Sequence, residues 1–260
     1  MWTDRARVLH DTSAGDWIAP RLDDWARVTG FVPAGFDAYA RILHRAQAPA
    51  PDGGAGAARH ARWSEVAALT GRDLHPLVLW HRLIGAVDPW NPESDQWPGG
   101  GPAWGDLDLE QLDALTRLLA GHTGTPEHCL FALWEGWSLL NGSGVAVTVG
   151  PEGKSTRPLA RAFTDDEWAA PRLALPDRTY LLLAGPLDAA RALTEHARNG
   201  VPSTQSPQLI WPEDHAWCAA TEIDLDSTVV GGTRALVDAV LADPTLEAWE
   251  VRPGDSLAFT

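Results

Sequence analysis

The sequence predicts an α+β fold, in which a helix-rich N-terminal half packs on a mixed or antiparallel C-terminal sheet that carries two helices. Apolar residues recur at intervals of three and four before residue 122, and strand-like runs dominate after Thr125. The composition, with 45% apolar and 21% charged residues, is typical of a globular chain. The 260 residues therefore divide into a helix-rich region, 1–122, and an α+β region, 123–260, which form two domains or one continuous domain.

The start of the chain is predicted to form short helices that are separated by loops. Trp17, Leu22 and Trp25 share one face of a predicted helix over 16–27. Residues 36–44 fit a strand or a helix equally well, and their periodicity does not decide between the two.

In the next segments, glycine residues mark loops and the ends of predicted helices. The Pro/Gly/Ala stretch 46–61 has no periodic apolar anchor and predicts a flexible loop or a linker. Helices are then predicted over 62–70 and 73–84. Each is followed by a glycine, Gly71 or Gly85, which is the usual residue just beyond a helix C-terminus.

A long Pro/Gly loop over 88–106 leads into the clearest helix of the sequence. Asp106 or Asp108 supplies its N-cap, and leucines recur at three and four before Gly121. After Thr125 two further helices are predicted, over 187–198 and 233–242. The predicted strands cover 129–134, 145–149, 180–184, 208–211, 216–225 and 248–251.

The segment 211–232, with the sequence WPEDHAWCAATEIDLDSTVVGG, carries a family resemblance. It resembles a widespread bacterial family with the pattern WPxDxAWCxATEIDxDSTxVGG, and the resemblance extends to 32–44, 62–67 and 180–187. No activity is established for that family. The resemblance therefore implies relatives for this chain without implying a function.

Three carboxylates in this segment form a candidate site. A strand over 216–226 would place Glu222, Asp224 and Asp226 on one face, with successive side chains about 6.5–7 Å apart. Together with the Gly231–Gly232 loop, they predict a metal-binding or acid/base cluster at the end of a strand. Ligation by oxygen atoms alone would suit magnesium, calcium or manganese.

Two other interpretations of these three carboxylates are possible from the sequence. The strand could run out into solvent, with Asp226 and Ser227 capping a turn. The string from Asp224 to Thr228 is also similar to the DxDxT motif of haloacid-dehalogenase-like phosphatases, but that motif opens its fold and needs a lysine downstream. No lysine follows Asp226.

Fourteen tryptophans are many for this length, and their positions predict a binding surface. Loop residues often bind partners, and exposed tryptophan is a preferred interface anchor. The same rings could instead cover the core from beneath a long loop. His215 is a further candidate because the adjacent Asp214 tunes its imidazole. The candidate binding residues are Trp90, Trp97, Trp104, Trp211, His215 and Trp217.

The net charge argues against one class of function, nucleic-acid binding. The chain has 35 acidic and 20 basic residues, a formal charge of −15 and a single lysine, Lys154, which argues against nucleic-acid binding. We expect no membrane-spanning segment and no signal peptide, because no apolar run is long enough and the first residues lack the basic-then-apolar layout. The cysteines, Cys129 and Cys218, form no CxxC pair. We therefore expect a cytoplasmic protein with reduced thiols.

Two functions remain as hypotheses. The first is an acidic protein-binding module, of the adaptor or toxin-neutralising type, whose partner has a basic surface; it has no catalytic residue and no cofactor. The alternative is an enzyme or small-ligand binder that uses Glu222, Asp224 and Asp226, with or without a divalent cation, between walls of Trp211 and Trp217.

Overall fold

The computed structural model describes residues 5–49, 59–150, 153–197 and 205–258, and antiparallel strands dominate it. In chain order the strands are β1 (Arg7–Val8), β2 (Ala38–Leu43), β3 (Ala46–Gln47), β4 (His60–Ala61), β5 (Cys129–Trp134), β6 (Val145–Gly150), β7 (Gly153–Pro158), β8 (Arg172–Leu175), β9 (Arg178–Gly185), β10 (Leu209–Pro212), β11 (Cys218–Thr221), β12 (Ser227–Gly232) and β13 (Ala248–Val251). The helices are α1 (Val28–Phe31), α2 (Trp63–Thr70), α3 (Trp80–Ile84), α4 (Leu109–Ala120), α5 (Ser138–Asn141), α6 (Asp165–Trp168), α7 (Ala189–Ala197) and α8 (Arg234–Ala242).

Nine of the strands form one antiparallel sheet. Its order is β1-β9-β5-β10-β11-β12-β2-β13, and β8 pairs with the part of β9 that β1 leaves free. The strands β3 and β4 form a second, two-stranded sheet, and β6 and β7 form a third. Among the described residues there is no helix with the length and apolar character needed to cross a membrane.

The predicted fold class is wrong, because the N-terminal half is not a helical layer on a C-terminal sheet. Strands β1 and β2 from that half belong to the central sheet, and β2 lies between β12 and β13. All six residues of β2 are buried, so the strand has no polar face. This is why the period of 36–44 did not separate a strand from a helix.

Two predicted helices are also wrong, and proline is the common cause. In place of a helix over 16–27 there is one 3₁₀ turn, Ala19–Arg21, which contains Pro20, and another 3₁₀ turn, Ser13–Gly15, precedes this range. In place of a helix over 73–84 only α3 forms. Proline lacks an N–H and disfavours helical geometry in the preceding residue. Pro76 and Leu77 instead form a turn, which the N–H of Val78 closes onto the carbonyl of His75 at 3.0 Å.

Helices whose caps and apolar period agree are confirmed. Helix α2 ends at Gly71, which adopts a left-handed conformation with φ of 67°. Helix α4 begins at Asp108, whose carboxylate accepts hydrogen bonds from the N–H groups of Glu110 and Gln111. Helix α8 begins at Thr233, whose hydroxyl accepts from the N–H of Leu236.

Within the described ranges the core consists of three apolar clusters. Helices α4, α7 and α8 pack on one face of the central sheet. The N-terminal turns, α1 and the segment around Leu257 cover the other face. The third cluster forms a lobe around α2 and α3, and its centre contains Trp63, Trp80 and Trp97. This lobe positions the loop that leads from α3 to α4.

The predicted loop at Gly231–Gly232 is wrong, because both glycines belong to strand β12. The two glycines end a fully buried strand that pairs with both β11 and β2. A Cβ atom on Gly231 would lie 2.6 Å from the ring of Phe36 and 2.9 Å from Tyr39. Glycine is therefore required by a close approach of side chains to this strand, and its conformational freedom is not used here.

Candidate functional site

The loop 86–108 connects the α2–α3 lobe to helix α4, which packs on the central sheet. It follows Gly85, which ends α3 in a left-handed conformation, and it stops at Asp108, the N-cap of α4. The three tryptophans predicted to bind from this loop, Trp90, Trp97 and Trp104, have different environments.

Trp97 is part of the core. Its indole N–H donates to the carbonyl of Gly100 at 3.1 Å, and its ring packs edge-on against Trp80, 6.2 Å away between ring centres. Trp80 in turn packs against Trp63. Since only 4% of Trp97 is exposed, this tryptophan anchors the loop and leaves no ring surface for a partner.

Trp90 and Trp104 form an aromatic pair at the surface. Their ring centres are 5.7 Å apart and the rings are inclined by 64°. Trp90 is 60% exposed, and Val87, three residues earlier, is 97% exposed. Tryptophan is enriched at protein–protein interfaces relative to the rest of the surface. We call Val87, Trp90 and Trp104 the tryptophan surface.

Acidic residues surround this pair in the sequence of the loop. Residues 86–108 contain five acidic side chains and no lysine, arginine or histidine. Asp88, Glu93 and Asp95 are exposed. The carboxylate of Asp88 also accepts the backbone N–H of Trp90 at 2.9 Å, which fixes the turn that presents the ring. The acidic residues of this loop are visible in the sequence as a run without lysine, arginine or histidine.

Trp211 and Trp217, also predicted to bind, are fully buried. They lie in the clusters on opposite faces of the sheet. The indole N–H of Trp217 donates to the carbonyl of Leu119 at 3.0 Å and so ties the end of α4 to the sheet. Their burial places both residues in the scaffold.

His215 is exposed at a tight turn. Its φ is 54°, in the left-handed region. The turn is held by Asp214, whose carboxylate accepts hydrogen bonds from Thr123, Gly124 and Ala216. The His215 ring stacks on Trp17 at 4.3 Å. Partial burial lowers the pKa of His215, and the nearby Arg21 lowers it further.

The three predicted carboxylates do not share a strand face. Strand β11 ends at Thr221, and residues 222–226 form the turn of a hairpin with β12, so the predicted strand over 216–226 is wrong. The backbone N–H of Leu225 closes this turn onto the carbonyl of Glu222 at 3.0 Å. Asp and Ser residues favour turns because their side chains bond to the nearby backbone.

Arg178 holds two of these carboxylates. One of its terminal nitrogens, Nη2, donates to Glu222 at 3.2 Å and to Asp224 at 2.6 Å. Burial raises the pKa of Glu222, and the charge of Arg178 opposes that rise. The guanidinium also lies 5.9 Å from the centre of the Trp134 ring. The positive charge beside Glu222 and Asp224 is therefore supplied by a side chain of the protein itself, Arg178.

Asp226 lies on the other side of the turn and pairs with Arg41 of β2. The side chains of both residues are almost fully buried, and Nη2 of Arg41 lies 3.2 Å from Oδ1 of Asp226. The same guanidinium donates to Ser227 Oγ and to the carbonyls of Pro76 and Val78. Burial raises the pKa of Asp226 and lowers that of Arg41, while the attraction between the charges opposes both shifts.

His44, which the sequence did not single out, begins a buried chain of hydrogen bonds. Its Nδ1 is 2.7 Å from the carbonyl of Ala103, which only accepts, so the proton resides on Nδ1. Nε2 therefore accepts from the hydroxyl of Thr228 at 2.9 Å, and Thr228 accepts from Thr221 at 2.8 Å. Burial lowers the pKa of His44 to about 4, so the ring is neutral at pH 7.

Among the described residues there is no group of three or more His, Cys, Asp or Glu side chains placed to hold a metal ion. Comparison of the chain with models of known families, with curated proteins and with solved structures gives no match. The resemblance of residues 211–232 to a bacterial family therefore stays a prediction.

Proposed function

We propose that this chain is a protein-binding module, of the adaptor or toxin-neutralising type, that docks a partner with a basic surface on the tryptophan surface. The observation that carries the proposal is the pair of Trp90 and Trp104, held in contact on a loop that contains acidic side chains and no basic ones. Tryptophan is enriched among the residues that dominate binding energy at interfaces.

The chemistry of the loop favours arginine or lysine on the partner. A guanidinium placed over an indole ring gains a cation–π interaction, and carboxylates such as Asp88, Glu93 and Asp95 form ion pairs around it. The formal charge of −15 adds long-range attraction for a basic partner and speeds its approach at low salt.

The loop is fixed before any partner arrives. Trp97 is inserted into the lobe, and Asp88 fixes the turn before Trp90. An anchor that is already ordered loses less conformational entropy on binding. A reducing, cytoplasmic setting belongs to the same proposal, because Cys129 and Cys218 are both buried free thiols.

The alternative function, an enzyme or small-ligand binder built on Glu222, Asp224 and Asp226, is not proposed. Arg178 binds the first two carboxylates, and Arg41 binds the third from inside the protein. Trp211 and Trp217 are buried in the core and form no pocket wall beside them.

Capture from a native lysate with matched baits tests the proposal. The baits are the wild type, the double variant Trp90→Ala with Trp104→Ala, and the control Trp25→Ala, which removes an exposed tryptophan from the N-terminal segment. We expect a stoichiometric basic partner with the wild type and the control, and its loss with the double variant. Equal recovery with all three baits, or no partner at low salt, contradicts the proposal.

A further inference from the structure

The hairpin of β6 and β7 is a separate sheet of two strands. Among the described residues no third strand pairs with it. All six residues of β7 are exposed, and in β6 Val145 and Val147 are 62% and 55% exposed. Alternate residues of a strand point to one face, so these two valines lie side by side in water. A hairpin of two strands is only marginally stable by itself, and a further strand would stabilise this one.

The backbone of β6 has an open edge. The N–H of Leu159 donates to the carbonyl of Gly144 at 2.9 Å, and the pairing continues in register to the end of the hairpin. Hydrogen-bonded and non-bonded pairs alternate in an antiparallel ladder, so the even-numbered residues of β6 bond to β7. The N–H and C=O groups of residues 145, 147 and 149 therefore point away from β7, where no described strand pairs with them.

The other edge strands of the described ranges carry a charge or are very short. A charged side chain on an edge opposes the addition of a further strand. Such residues are Arg7 on β1, Lys154 on β7, Arg172 on β8 and Glu250 on β13. The strands β3 and β4 are only two residues long. In contrast β6, with the sequence VAVTVG, has no charged residue and mostly β-branched side chains, which favour strand pairing.

The charge of the hairpin differs from that of the whole chain. The formal charge of −15 makes two copies of the chain repel each other. Residues 145–158 contain two basic residues and one acidic residue, which gives this segment a net charge of +1. The hairpin of one copy is therefore attracted to the acidic body of another copy, and this attraction offsets part of the repulsion.

We infer that β6 is a dimer interface, at which it pairs antiparallel with β6 of a second copy of the chain across a two-fold axis. In the register that overlaps the whole open edge, Val147 lies opposite Val147 of the second copy, and Val145 lies opposite residue 149. The two hairpins then form one four-stranded sheet, in which the exposed valines of both copies are neighbours. The inference does not depend on the tryptophan surface or on the proposed protein partner.

Sedimentation velocity over a range of protein concentrations tests the inference. The variant Val147→Lys places like charges opposite each other on the two-fold axis, which opposes pairing. The control Thr156→Lys adds the same charge at the position that faces Val147 within the hairpin, but on β7. We expect the wild type and the control to form a dimer that dissociates on dilution, because one strand per copy is a small interface. Val147→Lys should raise the dissociation constant of this dimer at least tenfold.

A mixture of two charge variants separates strand pairing from damage to the fold. Val147→Glu should also be monomeric, and its equimolar mixture with Val147→Lys should contain a mixed dimer, because opposite charges then face each other. Position 147 is exposed, and thermal unfolding confirms that each variant is folded. The inference is wrong if the wild type is a monomer at every concentration, if Val147→Lys dimerises as tightly as the control, or if the mixture stays monomeric.

Discussion

The hairpin turn 222–226 has an arginine–carboxylate group on each side, and the two differ in burial. The Arg41–Asp226 side chains are 1% and 3% exposed, and the N–O distance is 3.2 Å. The Arg178–Asp224 side chains are 22% and 36% exposed, and the distance is 2.6 Å. The shorter pair is the more exposed one, so distance alone does not rank these interactions.

Burial decides what each pair does. Water screens the charges of Arg178, Glu222 and Asp224. Their ion pairs connect the turn to β9 but contribute little to the free energy of folding. The Arg41 group lies in the interior, where a charge without its partner strongly destabilises the fold. Its guanidinium also donates to the carbonyls of Pro76 and Val78 and so holds the turn around Pro76 against β2. Asp224 and Asp226, two positions apart, thus each pair with an arginine, the first near the surface and the second in the interior.

Asp226→Asn gives the largest expected effect. It leaves the Arg41 guanidinium buried without a counter-charge, which should lower the free energy of unfolding by about 3 kcal/mol or more. Urea unfolding measures the change. A loss below 1 kcal/mol would mean that Asp226 is not ionised in the native protein, and the contrast between the two pairs would then disappear.

Acidification tests the buried network next to that pair. His44 has a pKa of about 4 in the folded protein, below its ordinary value of about 6.5, so the unfolded chain takes up the proton first. Stability is therefore full above about pH 6.5 and falls by about 2 kcal/mol between pH 7.5 and 5. Partial burial lowers the pKa of His81 and His215 as well, with the same sign.

The variant His44→Gln isolates the contribution of this ring. Carboxylates titrate alike in both proteins, so the difference in unfolding free energy between pH 7.5 and pH 5 should shrink by about 2 kcal/mol in the variant. An unchanged difference would show that His44 is not held neutral by its surroundings.

Asp224→Asn is the matched substitution on the exposed side of the turn. We expect a loss of less than about 1 kcal/mol, because solvent screens the pair and Arg178 keeps Glu222 as a partner. The loss should shrink further as salt rises from low to physiological ionic strength. A loss as large as that of Asp226→Asn would contradict the role assigned to burial.

Trp90→Ala extends the comparison between exposed and buried groups to the aromatic residues. Of the substitutions considered, it has the smallest expected effect on the free energy of unfolding. Since most of the ring is exposed, unfolding free energy should change by no more than about 0.5 kcal/mol. Thermal and urea unfolding both measure it. A larger loss would show that the Trp90–Trp104 pair supports the fold, which would weaken its assignment as a docking surface.

The sequence predicted elements whose local signals agree. Helix α4 has a cap and a leucine period, and β5 is a continuous apolar run between turn residues. Strand β2 was ambiguous because it is buried on both faces, and β12 was missed because its glycines read as a loop. Their burial depends on neighbours far away in the chain, which no local pattern contains.

The sequence locates the loop that carries the candidate site, but it does not give the environment of each side chain in that loop. The loop 88–106 was identified as tryptophan-rich, but the sequence does not separate Trp97, which is buried, from Trp90, which is exposed. The ring of Trp97 is buried by Trp80 on α3, and that contact depends on the tertiary fold. Likewise Arg41 lies in an otherwise apolar run, and only the paired strand β12 brings Asp226 to it.

Site-specific photo-crosslinking tests the protein-binding proposal most directly. A photoreactive residue replaces Trp90 in one preparation and Trp25 in another, and each is irradiated in native lysate at physiological salt. We expect a cross-link from position 90 to a single basic protein, which high salt suppresses, and no such product from position 25. The same product from both positions, or an acidic protein at position 90, would contradict binding through the tryptophan surface.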